Sequence, residues 1–353
     1  MDAEAKTCQN CKTSFEITED DLSFYERIKV PPPTFCPDCR FQRRLMFRNE
    51  RTLYRRTCDL CGVKVLSTLA SEKPYKVYCG SCWWSDKWDA ADYGQDYDPS
   101  KNFFEQFHAL QAKVPYMNLV TTHSTLINSE YTNHTAYLKN CYLSFNGNYG
   151  ENVLYANTFA NMKDSMDIRM VGESELCYED IDFGKGSRIF FSEACENSHN
   201  IYFSKNVMGS SDCFGCVNLT NKKYCFFNKQ YSKEEYEKKL KELRLDTFSG
   251  VTVARKIAND FFLNFPNKFT HARYNVNSTG EYVFYSKNAK NIYQARFVED
   301  SKFCQLITLK PMKDSYDYTE WGQNAQHVYD AITIGDSADM VKFSSGCWMQ
   351  VLN

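Results

Sequence analysis

The stretch ELCYEDIDFGKG (175–186), SRIFFSEACENS (187–198), HNIYFSKNVMGS (199–210), SDCFGCVNLTNK (211–222), KYCFFN (223–228) reveals the architecture once it is read in steps of 12. Cys177, Ile189, Ile201, Cys213 and Cys225 fall in one apolar column, and Phe159, Val171, Phe183, Cys195, Val207 and Leu219 in another. The pieces NCYLSFN from 140, NVLYANT from 152 and DSMDIRM from 164 carry the pattern toward the N-terminus. After an interruption it resumes through Ile292, Cys304, Tyr316, Val328 and Met340. Short strands at a fixed period, separated by Asn, Gly, Asp and Ser, indicate a solenoid in which each unit buries its apolar side on the next. Pieces of about five residues, with Asn available for left-handed turns, favour a parallel β-helix over helical repeats. A coil holds one such unit or two, and the abundant large aromatics favour two, a rung of about 24 residues with a wider interior. The buried cysteines, the Cys213/Cys216 pair among them, then act as small hydrophobes.

The interruption between the two runs of the repeat is helical. Ser232-Lys-Glu-Glu235 forms a capping box before YEKKLKEL, and VARKIANDFFLNF after Gly250 makes a second helix. Upstream of the repeat, Asp98-Pro99 followed by SKNFFEQFHALQAKV predicts a connector helix capped by Asp98 and docked on the second half through Phe103, Phe107 and Leu110.

The first quarter of the chain holds four Cys-x-x-Cys pairs: Cys8/Cys11, Cys36/Cys39, Cys58/Cys61 and Cys79/Cys82. Each pair places two thiolates on a metal from a tight turn, and a second pair closes a tetrahedral site with no open position. The segments between pairs, 12–35 in the first set and 62–78 in the second, are short enough to close at little entropic cost. A redox or disulfide framework is the competing explanation. Two successive double pairs fit it poorly, and two structural zinc ions are expected. The second set, CDLCGVKVLSTLASEKPYKVYCGSC, reads as a hairpin ribbon with Val63, Val65, Tyr75 and Val77 as strand residues. Trp83, Trp84 and Trp88 follow it, suited to packing on a neighbour or, less commonly, to base stacking.

Cys8, Cys11, Phe15, Thr18, Phe24, Tyr25, Pro33, Cys36, Cys39 and Arg40 follow in order the pattern of the trcl-type zinc-ribbon domain, which residues 7–44 resemble. The resemblance implies zinc and suggests contact with nucleic acid. The wider layout resembles a bacterial family of zinc-ribbon plus β-solenoid proteins, through CPDCRFQRRLMFRNERTLYRR, VYCGSCWWSDKWDA, VNLTNKKYCFFNKQYSKEEYE and NSTGEYVFYSKN. That likeness brings no biochemical role with it.

Directly after Cys39, RFQRRLMFRNERTLYRR carries seven arginines against a single glutamate. Arg40, Arg44, Arg48, Arg51 and Arg55, at steps of 4, 4, 3 and 4, would line one helix face beside an apolar stripe beginning at Phe41 and Leu45. With Arg43 and Arg56 they form a candidate phosphate-gripping surface for nucleic acid or a nucleoprotein. The alternatives are a solvated face, or arginines paired with acids of the ribbon such as Glu19, Asp20 and Asp21.

The full chain has 353 residues and a net charge of −2, so no overall field points to nucleic acid. Its start lacks a signal-like apolar run, and no stretch reaches the ~20 apolar residues of a membrane span. A cytoplasmic protein with mostly reduced cysteines is expected. No nucleophile motif, phosphate-cradling loop or open metal site is visible, and the six histidines are scattered. Asp164, Asp167, Glu179, Asp180 and Asp182 are the candidates for a β-helix carbohydrate-active enzyme, but solenoid turns carry acids anyway. The resulting expectation is a mainly β chain and a non-enzymatic role. Zinc ribbon 1 with its arginine helix takes 1–56, zinc ribbon 2 takes 57–92, and a helical connector takes 93–127. The β-solenoid occupies 128–229 and 278–353 around a helical insertion at 230–277, as a scaffold whose face also suits a protein partner.

Overall fold

Every third residue from His134 to Phe227 has a left-handed backbone, with Gly209 and Gly215 filling two of the places. Such a conformation costs a non-glycine residue about 1–2 kcal/mol, so the surrounding hydrogen bonds must over-determine it. Through most of the described repeat, the residue after a left-handed one points inward. Val153, Ala156, Phe159 and Met162 are successive inward positions, and all are buried. Every fourth inward position then meets its counterpart on the neighbouring strand. Ile189 pairs in parallel with Ile201, Ile201 with Cys213, and Cys213 with Cys225.

This spacing corrects the expected wider rung of two units, because the hydrogen-bonded neighbour lies a single unit away in sequence. Each three-residue step has room for one inward side chain, and the interior is filled mainly by Val, Ile, Cys, Ala and Ser. Most large aromatics lie outside, stacked in ladders: Tyr137 on Tyr149 at 4.8 Å, Phe190 on Tyr202 at 5.3 Å, Phe214 on Phe226 at 4.9 Å. Inward serines are satisfied along the ladder. The Ser204 hydroxyl donates to the Tyr202 carbonyl at 2.8 Å and accepts from the Cys216 N–H at 3.0 Å, while Ser192 serves Phe190 and Ser204 in the same way. Cys213 and Cys216 are buried in this core.

The computed structural model describes residues 3–309, 311–323, 325–335 and 337–347, so the end of the expected second solenoid part, 348–353, lies outside the described residues. The chain is mainly β and divides into two compact units, one of residues 1–48 with 267–353 and one of residues 49–266. The unit boundaries differ from those drawn on the sequence. The two repeat regions form separate sheets, of nine strands and of six.

In the unit that contains the N-terminus, an antiparallel hairpin (Glu4–Thr7 with Ser14–Ile17) precedes helices α1 (Glu19–Arg27) and α2 (Pro37–Leu45). Thr18 and Asp21 form a capping box on α1. The six-stranded sheet keeps the step of 12 from Gly280↔Ile292 to Tyr293↔Gln305. The step then becomes 14 at Gln305↔Thr319 and 13 at Tyr316↔Tyr329. The strict column Ile292, Cys304, Tyr316, Val328, Met340 is therefore corrected. Ala295 pairs with Ile307 but Val298 with Met312, so the partners move five places along the chain where the first strand moves three, and two extra residues shift the register.

In the other unit, a hairpin of Tyr54–Thr57 and Lys64–Ser67 is followed by the short helix α3 (Gly80–Trp83) and by α4 (Phe103–Lys113). Asn102, not Asp98, caps α4 by accepting from the Phe104 N–H at 2.8 Å. No residue of α4 is buried, which corrects the expected docking of Phe103 and Phe107. Helices α5 (Lys233–Glu242) and α6 (Phe248–Phe262) carry the expected capping box at Ser232/Glu235. They pack Tyr236, Ala254 and Ala258 on the outer aromatics Phe203 and Phe214. Among the described residues no helix is long and apolar enough to cross a membrane.

Candidate metal centres and the arginine helix

The two cysteine sets are built alike. In the first, the hairpin turn carries Cys8 and Cys11, with the Cys8 N–H on the Thr13 carbonyl at 2.9 Å and the Lys12 N–H on the Cys8 carbonyl at 3.0 Å. Lys12 is left-handed there. In the second, the Cys58 N–H donates to the Val63 carbonyl at 2.8 Å and the Gly62 N–H to the Cys58 carbonyl at 2.9 Å, and Gly62 takes the left-handed place. The other pair of each set opens a helix: Cys36 caps α2 and Cys79 caps α3, neither with a side-chain hydrogen bond. The Cys36 N–H donates to Cys8 Sγ and the Cys79 N–H to Cys58 Sγ, both at 3.2 Å. The hairpin of the second set pairs a strand before Cys58 with one after Cys61, which corrects the expected strand assignment of Tyr75. Val77–Tyr78 pairs instead with Tyr116–Met117.

The four sulfurs of each set lie within 4.8 Å of one another. Cys11 and Cys36 sulfurs are 3.7 Å apart and Cys61 and Cys79 sulfurs 3.8 Å. A tetrahedron with metal–sulfur bonds of about 2.3 Å has an edge of about 3.8 Å, which these separations match, so the donors suit a four-coordinate metal. Burial raises the Cys8 thiol, but N–H donors from Cys36, Cys11 and Asn10 outweigh it and bring it down to about 6. Cys58 comes down to about 7 by the same balance. Burial and neighbouring sulfurs push Cys36 and Cys82 up to about 12. Four thiols in one space cannot all ionise without a cation, and a bound metal supplies it. Each set offers four donors, the complement of a closed tetrahedral site. Around the second set, Trp83 and Trp88 pack on each other at 4.8 Å and against the cluster of Cys58, Cys79 and Cys82, while Trp84 is exposed.

The arginine-rich stretch folds differently from the expected long helix. Helix α2 ends at Leu45, and Arg55 and Arg56 lie in the hairpin strand Tyr54–Thr57. Phe41 is half-buried, while Leu45, Met46 and Phe47 face solvent, Met46 and Phe47 being 80% and 74% exposed. Arg40 and Arg44 face inward, only 2% and 3% exposed. Arg40 donates from Nε to Asp317 at 2.8 Å and from Nη1 to the Phe35 carbonyl at 2.7 Å. Arg44 donates to Thr319 at 3.1 Å, Asp317 at 3.1 Å and Asp330 at 3.3 Å. Arg43 pairs with Asp330, and Arg48 with Glu320 and Thr333. Asp317 is fully buried. Burial lowers the tendency of Arg40 to hold its proton, but the Asp317 carboxylate more than restores it. Burial raises Asp330 above the usual carboxylate range despite its arginines.

Buried guanidinium groups bound to carboxylates are not available to phosphates, which corrects the reading of α2 as a displayed cationic face. The internal partners are not Glu19, Asp20 and Asp21 but the distant acids Asp317, Glu320 and Asp330; Asp21 instead accepts from Lys302 at 2.6 Å. Arg56 donates to the Ala70 and Tyr75 carbonyls. Arg51 and Arg55 are exposed.

The five acids considered for catalysis do not share one face: Asp167 and Glu179 lie near each other, and burial and Glu179 raise the Asp167 carboxyl. Asp164, Asp167, Glu179 and Asp182 occupy left-handed positions, whereas Asp180 points inward, fully buried. Asp164 accepts from Asn152 at 2.6 Å and Glu179 from Arg255 at 2.6 Å. An open depression on the same sheet is lined by Lys163, Glu173, Glu175, Lys185 and His199, and by none of the five. No family model matches the chain, and no curated protein matches it.

Proposed function

We propose that the chain is a non-enzymatic zinc protein, with one structural ion on Cys8, Cys11, Cys36 and Cys39 and another on Cys58, Cys61, Cys79 and Cys82. The sulfur separations of 3.7 and 3.8 Å, which match a tetrahedral tetrathiolate edge, carry this reading. The first set is then a ribbon of the trcl type. In the same reading the two parallel ladders are β-solenoids, each coil one step of the strand register, that act as an interaction scaffold. The periodic register and the left-handed backbone at every third residue support that architecture.

A protein partner is preferred over nucleic acid because the inward arginines are already committed to carboxylates. Arg51 and Arg55 remain as exposed cations for a weak polyanion contact. Two measurements test these readings. Metal analysis of protein expressed with ample zinc should return about two ions per chain, and a value below one would defeat the metal reading. Binding of the metal-loaded protein to mixed nucleic acids should be weak; tight binding that falls steeply with salt would return the nucleic-acid reading to first place.

A further inference from the structure

Helix α2 is joined to its unit in an unusual way. Its buried residues are Cys39, Arg40 and Arg44, and none is an aliphatic or aromatic anchor. Its nine residues are too few for a helix to persist alone, since isolated helices shorter than about 12–15 residues are marginal in water. Buried ion pairs contribute little net stability, because the desolvation cost offsets much of the attraction. What remains is the metal site: Cys36 caps the helix, Cys39 lies in its first turn, and Arg40 follows directly. Helix α1 is held otherwise. Leu22, Phe24 and Tyr25 pack with Ile28 against Tyr316 and Tyr329, and Phe24 stacks on Tyr316 at 3.9 Å.

We propose that the first four-cysteine site is a metal-controlled latch over a cryptic polyanion-binding surface. With metal bound, Arg40, Arg43, Arg44 and Arg48 are seated on Asp317, Asp330 and Glu320. When the metal leaves, Cys36 and Cys39 are no longer tied to Cys8 and Cys11, and α2 loses the anchor of its cap and first turn and separates. Helix α1 stays docked on its aromatic contacts. The released segment then presents Arg40, Arg43, Arg44 and Arg48 close together along one short stretch of chain, and phosphate-rich polymers are the chemistry they fit. The second site opens α3, which carries no arginine, so it has no such output. The latch rests on the zinc reading of the first site.

The test uses the full chain and inorganic polyphosphate as probe. Cys8→Ser/Cys11→Ser empties the first site alone, and Cys58→Ser/Cys61→Ser the second. The first variant should bind polyphosphate at least about tenfold tighter than metal-loaded wild type, with a steep salt dependence. It should also become sensitive to trypsin between Arg40 and Arg48. The second-site variant should show neither change. Adding Arg43→Glu and Arg48→Glu to the first-site variant should abolish the gain. Should the cysteine variant not fold, Asp317→Asn/Asp330→Asn loosens the same seat with the metal site intact and should bind polyphosphate while metal-loaded. Wild type with two metals and no change in binding or cleavage in either variant overturns the latch and leaves the zinc reading standing. Wild type without metal at the first site overturns both.

Discussion

Replacing Asp317 by Ala removes one carboxylate that serves two buried guanidinium groups. Arg40 Nε lies 2.8 Å from it and Arg44 Nη1 3.1 Å, and all three side chains are almost wholly excluded from water. Breaking a buried pair from one side leaves an uncompensated charge and costs about 3–5 kcal/mol. Arg40 keeps the Phe35 carbonyl and the Phe303 ring face, whereas Arg44 keeps Asp330 and Thr319, so about 4 kcal/mol is expected. The affected unit comprises residues 1–48 and 267–353. At about 3–4 °C per kcal/mol for a unit of that size, its melting transition should fall by roughly 12–16 °C. Urea unfolding followed by circular dichroism gives the free energy, with an unchanged slope showing that the native and unfolded states are otherwise alike. The triple change Arg40→Met/Arg44→Leu/Asp317→Leu should restore most of the loss, since apolar groups of similar size carry no desolvation cost. The exposed pair Arg27–Asp314, at 3.2 Å, is the control: Arg27→Ala should cost under about 1 kcal/mol. An Asp317→Ala protein within about 1 kcal/mol of wild type would refute the buried network as drawn.

Ile201→Asp places an unpaired charge at a fully buried point between Ile189 and Cys213 and should prevent cooperative unfolding of its ladder; a variant with a wild-type melting curve would contradict the inward column. Ser204→Ala leaves the buried Cys216 N–H without its acceptor and should cost about 1–3 kcal/mol by urea unfolding, with no loss counting against the serine ladder. Asp180 is raised well above the usual carboxylate range by burial, partly opposed by N–H donors from Ser192 and Tyr178. Its folded state therefore holds a proton more tightly than the unfolded chain, so its contribution is full below about pH 4 and is lost as pH rises through the folded value. Asp180→Ser, which continues the ladder of Ser192 and Ser204, should gain stability relative to wild type as pH rises, and a pH-independent difference would rule the account out.

What is local could be read from the chain alone. Each Cys-x-x-Cys knuckle is a turn of a few residues with two thiols at that spacing, so all eight cysteines of the two clusters were legible. The period of the repeat was legible too, because Ile189, Ile201 and Cys213 recur in one local backbone pattern. The capping box at Ser232 was likewise readable from four adjacent residues. Whether one unit or two separates neighbouring strands was not, because apolar character does not tell an inward Cys177 from an outward Tyr137 when aromatics can stack with their own kind at 4.8 Å. Nor could the two residues added between Ile307 and Met312 be seen in a column that still showed apolar residues. The direction of the arginines emerged only with the folded chain. Helical spacing put Arg40 and Arg44 on one face, but a charged face looks the same whether it meets solvent or a partner. Its partners, Asp317 and Asp330, lie 277 and 286 positions away from them, and only long-range packing makes that buried face electrically neutral enough to leave water.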